Sequence, residues 1–241
     1  MNGPDVVASE ARSEAGGYKD PLRRFAHQAL DPLVRALLAL GLRADHLTGL
    51  GFLLSLAAAL QFAIGRFRLA AILAAASGLC DILDGQLARR SGAATRFGAF
   101  LDSSLDRIAE AALFVGLAWY YVAQLVDMSV NPERVMTNLR NGLEPITFAA
   151  IAIAAMLALV GSFMVSYTRA RAEGLGLECK VGWFERPERM VLLIVAGLFG
   201  LGPVIPGALI VLVVFSFATA FQRMAHVWKI TRSTGSDTPE A

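Results

Sequence analysis

The chain has 241 residues, of which 56% are hydrophobic and only 17% charged. Soluble domains carry about 25% charged residues, so this composition speaks against a water-soluble globule and for a membrane protein. A net charge of +2 gives no basic face for nucleic acid, and two distant cysteines, Cys80 and Cys179, exclude a disulfide framework and zinc-finger spacing.

Residues 1–19 mix acids, bases and glycines without an apolar core segment, which predicts a mobile tail and no signal peptide. From Asp20 to Arg43 apolar residues recur at helical spacing with arginines opposite, the pattern of an amphipathic helix lying in the membrane interface. A span needs about 20 largely apolar residues. Leu47–Gly65 supplies the first. The second runs from Leu69 through Asp81 and Asp84 to Leu87. Phe97–Val122 makes the third and carries Asp102, Asp106, Arg107 and Glu110 in its first half. Pro145–Thr168 makes the fourth. Met190–Gln222 is too long for one helix, and Gly-Leu-Gly-Pro at 200–203 with Pro206-Gly207 divides it into a short fifth span and a sixth. The expected fold is therefore all-α and integral to the membrane: six transmembrane helices over 44–230, preceded by the juxtamembrane helix at 20–43 and followed by a mobile tail at 231–241. Lys and Arg crowd the tails and the connections after spans 2 and 4, whereas the other side keeps only Arg66, Arg68, Arg134 and Arg140. The rich side is cytoplasmic by the positive-inside rule, which puts both termini there, in a cell membrane.

Chemistry concentrates between Asp81 and Asp106. Ionised side chains in a span are costly and mark function. Asp81 and Asp84 stand at i, i+3 and Asp102 and Asp106 at i, i+4, so each pair shares a helix face. A short connection makes the two helices antiparallel neighbours, and both pairs converge near their cytoplasmic ends. Four carboxylates at low dielectric repel one another strongly and call for cations. Oxygen ligands without His or Cys select Mg²⁺, with Mn²⁺ or Ca²⁺ as alternatives; two Mg²⁺ ions would suit displacement at a substrate phosphorus. Gly85, Ala88 and Gly98 leave room for a ligand beside the backbone, and Arg89 is placed to clamp a phosphate. The competing reading is a charge-paired structural network in which Arg107 and Arg89 neutralise the acids.

The stretch reads D-x2-D-G-x2-A-R-x8-G-x3-D-x3-D through Asp81, Asp84, Gly85, Ala88, Arg89, Gly98, Asp102 and Asp106. It resembles, at every specified position, the signature of the CDP-alcohol phosphotransferase family. The resemblance implies that Asp81, Asp84 and Asp102 ligate metal with Asp106 at its edge. It implies that Asp106 is the general base on an acceptor hydroxyl, which attacks the β-phosphorus of a CDP-linked lipid such as CDP-diacylglycerol and releases CMP. Gly85, Ala88, Arg89 and Gly98 would line the nucleotide site, joined by Asp45 and Thr48, which match an Asp-x2-Thr segment of relatives although Ala44 replaces their usual Pro. Homodimers are usual in the family.

For the acceptor, the clue is the connection after span 4. Arg169, Arg171 and Arg189 beside a site for an anionic donor suggest a phosphorylated alcohol. The segments Ser-Tyr-Thr-Arg-Ala-Arg and Glu-Arg-Pro-Glu-Arg are similar to those of the family's phosphatidylinositol-phosphate synthases. That likeness implies an inositol-phosphate pocket of Ser166, Arg169, Arg171 and Arg189, with Arg at 169 where Lys is common. Glycerol 3-phosphate is the alternative acceptor, serine or an amino alcohol a third, and a divalent-cation transporter the reading from another class.

Overall fold

The structure, a computed structural model, describes residues 30–92, 95–140, 143–200 and 204–234. The tail expected over 1–19, the first ten residues of the expected interfacial helix and 235–241 lie outside the described residues. Helix α1 (Asp31–Ala39) starts on Asp31 and Pro32, whose fixed φ suits a first turn and whose missing N–H is not needed there. Arg90 and Arg35 both pair with Asp31, and the Arg90 hydrogen bond, the largest influence, holds its carboxyl below the ordinary value of 3.8. Beneath it Val34 packs with Leu47, Leu83 and Leu87.

Helices α2 (Ala44–Ala63) and α3 (Phe67–Ser91) are joined through Gly65. Gly92, at φ 66° in the left-handed region that glycine adopts without strain, ends α3. The Thr95 hydroxyl then caps α4 (Arg96–Val130), accepting from the Gly98 N–H at 2.9 Å. At 1.5 Å per residue α4 is ~52 Å long, far beyond a ~30 Å hydrocarbon core. It therefore continues eight residues past the expected end of span 3. A polar helix absent from the expectations, α5 (Pro132–Arg140), follows it. Helix α6 (Pro145–Gly174) comes next. Helix α7 (Arg186–Phe199) opens with Glu188 accepting from the Glu185 N–H at 3.0 Å, and α8 (Val204–Thr234) completes the chain. Pro206-Gly207 does not break a helix, contrary to expectation. It falls in the first turn of α8, where proline removes no helical hydrogen bond. The same helix runs on to Thr234, into the stretch expected to be a tail from 231.

No strand occurs among the described residues, and α2, α4, α6 and α8 are each long and apolar enough to cross a membrane. The chain is an all-helical, multi-pass membrane protein. The six longest helices close a cycle of packing: α2 on α4, α4 on α6, α6 on α8, α8 on α7, α7 on α3 and α3 on α2. One core of Ala58, Phe62, Phe67, Leu113, Phe114, Leu117, Ala155, Leu193 and Leu209 runs through it. Small residues set the spacing. A Cβ on Gly116 would meet the backbone carbonyl of Ala59, so α2 and α4 approach more closely there than any side chain permits. The start of α2, the end of α3 and the starts of α4 and α7 all lie at one end of the cycle, and this places the functional groups.

Candidate active site

Helical spacing brings the signature acids together as expected. Oxygens of Asp81 on α3 and of Asp102 and Asp106 on α4 all lie within 4.8 Å of one another. Asp84 shares their cavity, which Thr48, Gly51, Phe52, Ser77, Leu105, Ala109 and Arg186 also line. Its carboxylate is buried and accepts from the Thr48 hydroxyl at 2.7 Å, which ties α2 to α3. Among the described residues that line the cavity, carboxylate is the only anionic ligand type, with neither thiol nor imidazole, and three hard oxygens within reach of one ion fit a divalent cation such as Mg²⁺ or Mn²⁺.

The guanidinium that bonds these acids is not one of those named from the sequence. Arg107 donates to the Ser103 carbonyl of its own helix, and the Arg89 guanidinium lies beside Gly85. The guanidinium in the cavity belongs to Arg186, the first residue of α7. Its Nη1 is 3.1 Å from Asp81 Oδ2 and its Nη2 is 2.7 Å from Asp106 Oδ1. One turn deeper, Arg189 grips Glu110 through Nε at 2.6 Å and Nη2 at 3.0 Å, with both side chains almost fully buried. Helices α4 and α7 thus face each other through two charged rungs, Asp106–Arg186 and Glu110–Arg189. A signal for this existed: acids at i, i+4 on span 3 match arginines at i, i+3 in Glu-Arg-Pro-Glu-Arg. Without the packing, nothing said that those two faces meet.

The remaining predicted residues spread around this centre. Asp45 is exposed in the first turn of α2, Ala88 and Gly85 are half-buried, and Arg89 is exposed. Ser166 lines a separate cleft with Arg107, Phe163, Met164, Tyr167 and Ala170. Arg169 bonds Glu173 at 2.9 Å and approaches Glu185 at 3.7 Å, whereas Arg171, two residues on and on another helix face, is exposed. A further arginine escaped the sequence reading. Arg223 of α8 is buried, donates to the Val165 and Val181 carbonyls at 2.5 and 2.8 Å, and shares Glu185 with Arg169 at 3.1 Å.

Membrane helices that gather four aspartates with one arginine at a common end define a membrane enzyme that handles phosphates by means of a divalent cation. The family profile described as CDP-alcohol phosphatidyltransferase matches residues 42–227. The chain belongs to that family and is a transferase. It is 37% identical over 215 residues to archaetidylinositol phosphate synthase of Methanothermobacter thermautotrophicus, covering 88% of this chain and 93% of the relative. Identity to phosphatidylinositol phosphate synthase of Mycobacterium marinum is 35% over 218 residues, 88% of this chain and 84% of the relative. Among solved structures, phosphatidylinositol phosphate synthase of Mycobacterium tuberculosis with CDP-DAG bound is similar at 34% identity and a TM-score of 0.65, covering 82% of this chain and 92% of that one. The same enzyme in complex with manganese and citrate gives a TM-score of 0.66 at 34% identity, over 82% of this chain and 88% of the other.

Proposed function

We propose that this transferase moves the phosphatidyl-type group of a CDP-linked lipid, CDP-diacylglycerol or a close analogue, to a hydroxyl of inositol phosphate. The observation that carries the reading is the convergence of Asp81, Asp102 and Asp106, with Asp84 held by Thr48, in one cavity at the end of the bundle. Mg²⁺, two ions in the full complement, would be held by Asp81, Asp84, Asp102 and Asp106 and would neutralise the diphosphate and the leaving group. Asp106 accepts the proton of the acceptor hydroxyl. The hydroxyl oxygen bonds to the β-phosphorus, the bond from that phosphorus to the bridging oxygen breaks, and CMP departs with the oxygen. The nucleotide rests along Asp45, Thr48, Gly85, Ala88, Arg89 and Gly98.

The acceptor phosphate meets the basic group around Ser166, Arg169 and Arg171, backed by the buried Arg189 and, we add, the buried Arg223. Arg169 and Arg223 converge on Glu185, which supports a common anion site. Relatives named for inositol phosphate products support the choice of acceptor. Helices α3 and α7 complete six spans with α1 at the interface, the active site faces the cytoplasm and the enzyme works as a homodimer. The distribution of Lys and Arg and the family's usual state support these readings.

The test is CMP release by purified protein given CDP-diacylglycerol, Mg²⁺ and, in turn, inositol 1-phosphate, glycerol 3-phosphate, serine and inositol. Release with inositol 1-phosphate alone, falling by about 10²–10⁴-fold in Asp106→Asn as expected for loss of a general base, bears out the reading. Release with glycerol 3-phosphate instead keeps the chemistry and overturns the acceptor.

A further inference from the structure

The two arginines at the start of α7 are held in opposite ways. Arg189 is 1% exposed, and all three of its guanidinium nitrogens donate, to the two Glu110 oxygens and the Phe184 carbonyl. Arg186 keeps 28% of its side chain accessible and bonds one oxygen each of Asp81 and Asp106. A guanidinium carries five N–H donors. The Nε of Arg186 is buried in the site without a hydrogen-bond partner among the described residues, and a buried donor left unpaired is costly unless a ligand supplies the acceptor. The oxygens that Arg186 occupies belong to two of the three acids placed to bind one cation.

We propose that Arg186 is a positioning residue that exchanges partners. Its guanidinium yields Asp81 and Asp106 to an incoming divalent cation and takes a phosphate oxygen of the substrate instead, so that cation and phosphate bind cooperatively. This rests on reading the aspartate cavity as the site of phosphoryl chemistry. Cation and guanidinium compete for the same two carboxylates, so neither binds them at full strength while the other is there. A guanidinium released inside a partly buried cavity needs a new anion, and a planar fork suits phosphate. Meanwhile the Glu110–Arg189 rung, one turn away, keeps α7 in place while Arg186 moves. Substrate phosphate reaches this cavity from two sources, the nucleotide donor and the phosphorylated acceptor, and both offer the same chemistry.

The experiment measures Mn²⁺ binding to the purified full chain in detergent by electron paramagnetic resonance, alone and with CDP, inositol 1-phosphate or glycerol 3-phosphate added. In the wild type one of these phosphates is expected to raise Mn²⁺ affinity, and the one that does so identifies the source. Arg186→Gln is expected to bind Mn²⁺ about tenfold more tightly without phosphate, because a positive charge beside two ligands is gone, and to lose the enhancement by phosphate. Arg186→Lys keeps the charge without the fork. It is expected to hold Mn²⁺ affinity near that of the wild type and to lose most of the enhancement. If Arg186→Gln, folded by its thermal transition, binds Mn²⁺ no better than the wild type, the arginine builds the site and does not compete for it. If enhancement survives in both variants, the phosphate partner is another residue. Should the Gln variant not fold, the Lys variant decides alone, since undiminished enhancement there overturns the exchange. Wild-type CMP release, measured alongside, reports on the proposed function separately.

Discussion

The helices α2, α3 and α4 obey opposite rules at their two ends. At one end Ala58, Ala59, Phe62, Phe67, Gly116 and Leu117 fill space without a charge among them, and backbone meets backbone at Gly116. At the other, the same helices present Thr48, Asp81, Asp84, Asp102 and Asp106 around a cavity. Close packing needs small uncharged surfaces, whereas a cation site needs repelling carboxylates held apart and reachable. One helix cannot satisfy both at the same height. The Glu110–Arg189 rung marks the border: it is buried like the core and charged like the site.

Breaking that border tests the division most severely. Arg189→Met leaves Glu110 buried and unpaired, and a loss of about 3–5 kcal/mol is expected in thermal unfolding in detergent. The double variant Glu110→Leu/Arg189→Met recovers most of the loss, since a packed apolar pair costs less than an orphaned charge. At the apolar end, Gly116→Ala drives a methyl into the Ala59 carbonyl, which is backbone and cannot rotate away. A loss of about 1–3 kcal/mol is expected, with CMP release per folded molecule unchanged. At the polar end turnover joins stability. Thr48→Val removes the hydrogen bond to the buried Asp84 and is expected to slow CMP release about tenfold and to cost about 1–2 kcal/mol in unfolding, because a bond to a charged group is lost.

The smallest effect belongs to Asp31, outside both ends. Its carboxyl is held low in the folded state by Arg90 and then Arg35, so the tie is fully present above the ordinary value near 3.8 and is lost as pH falls through the lower folded value. Asp31→Asn should leave unfolding unchanged below that range and slightly advance it at neutral pH. A pH series of melting curves on both proteins reads the difference.

Much of the site was legible because helical geometry is local. Two residues three or four apart share a face whatever surrounds them, so Asp81 with Asp84 and Asp102 with Asp106 followed from spacing, and the short connection through Gly92 brought the pairs together. Four of the expected spans, now α2, α4, α6 and α8, followed for the same reason, since length and apolarity are properties of a segment. Glycine and proline misled only where position within the helix decides their effect, as at Pro206-Gly207 in the first turn of α8.

The residues by themselves therefore determined an all-helical membrane chain, its acidic centre and its family. Tertiary structure alone decided which cations meet those acids. Arg107, near in sequence, donates to a carbonyl of its own helix and Arg89 lies beside Gly85, while Arg186 lies 105 residues from Asp81 and bonds it because α7 packs on α3 and faces α4. Arg223 likewise joins the basic group only because α8 brings it beside Glu185. Pairing across a bundle depends on which faces meet and at what height, and closure of the whole cycle of helices decides that, not any one segment of it.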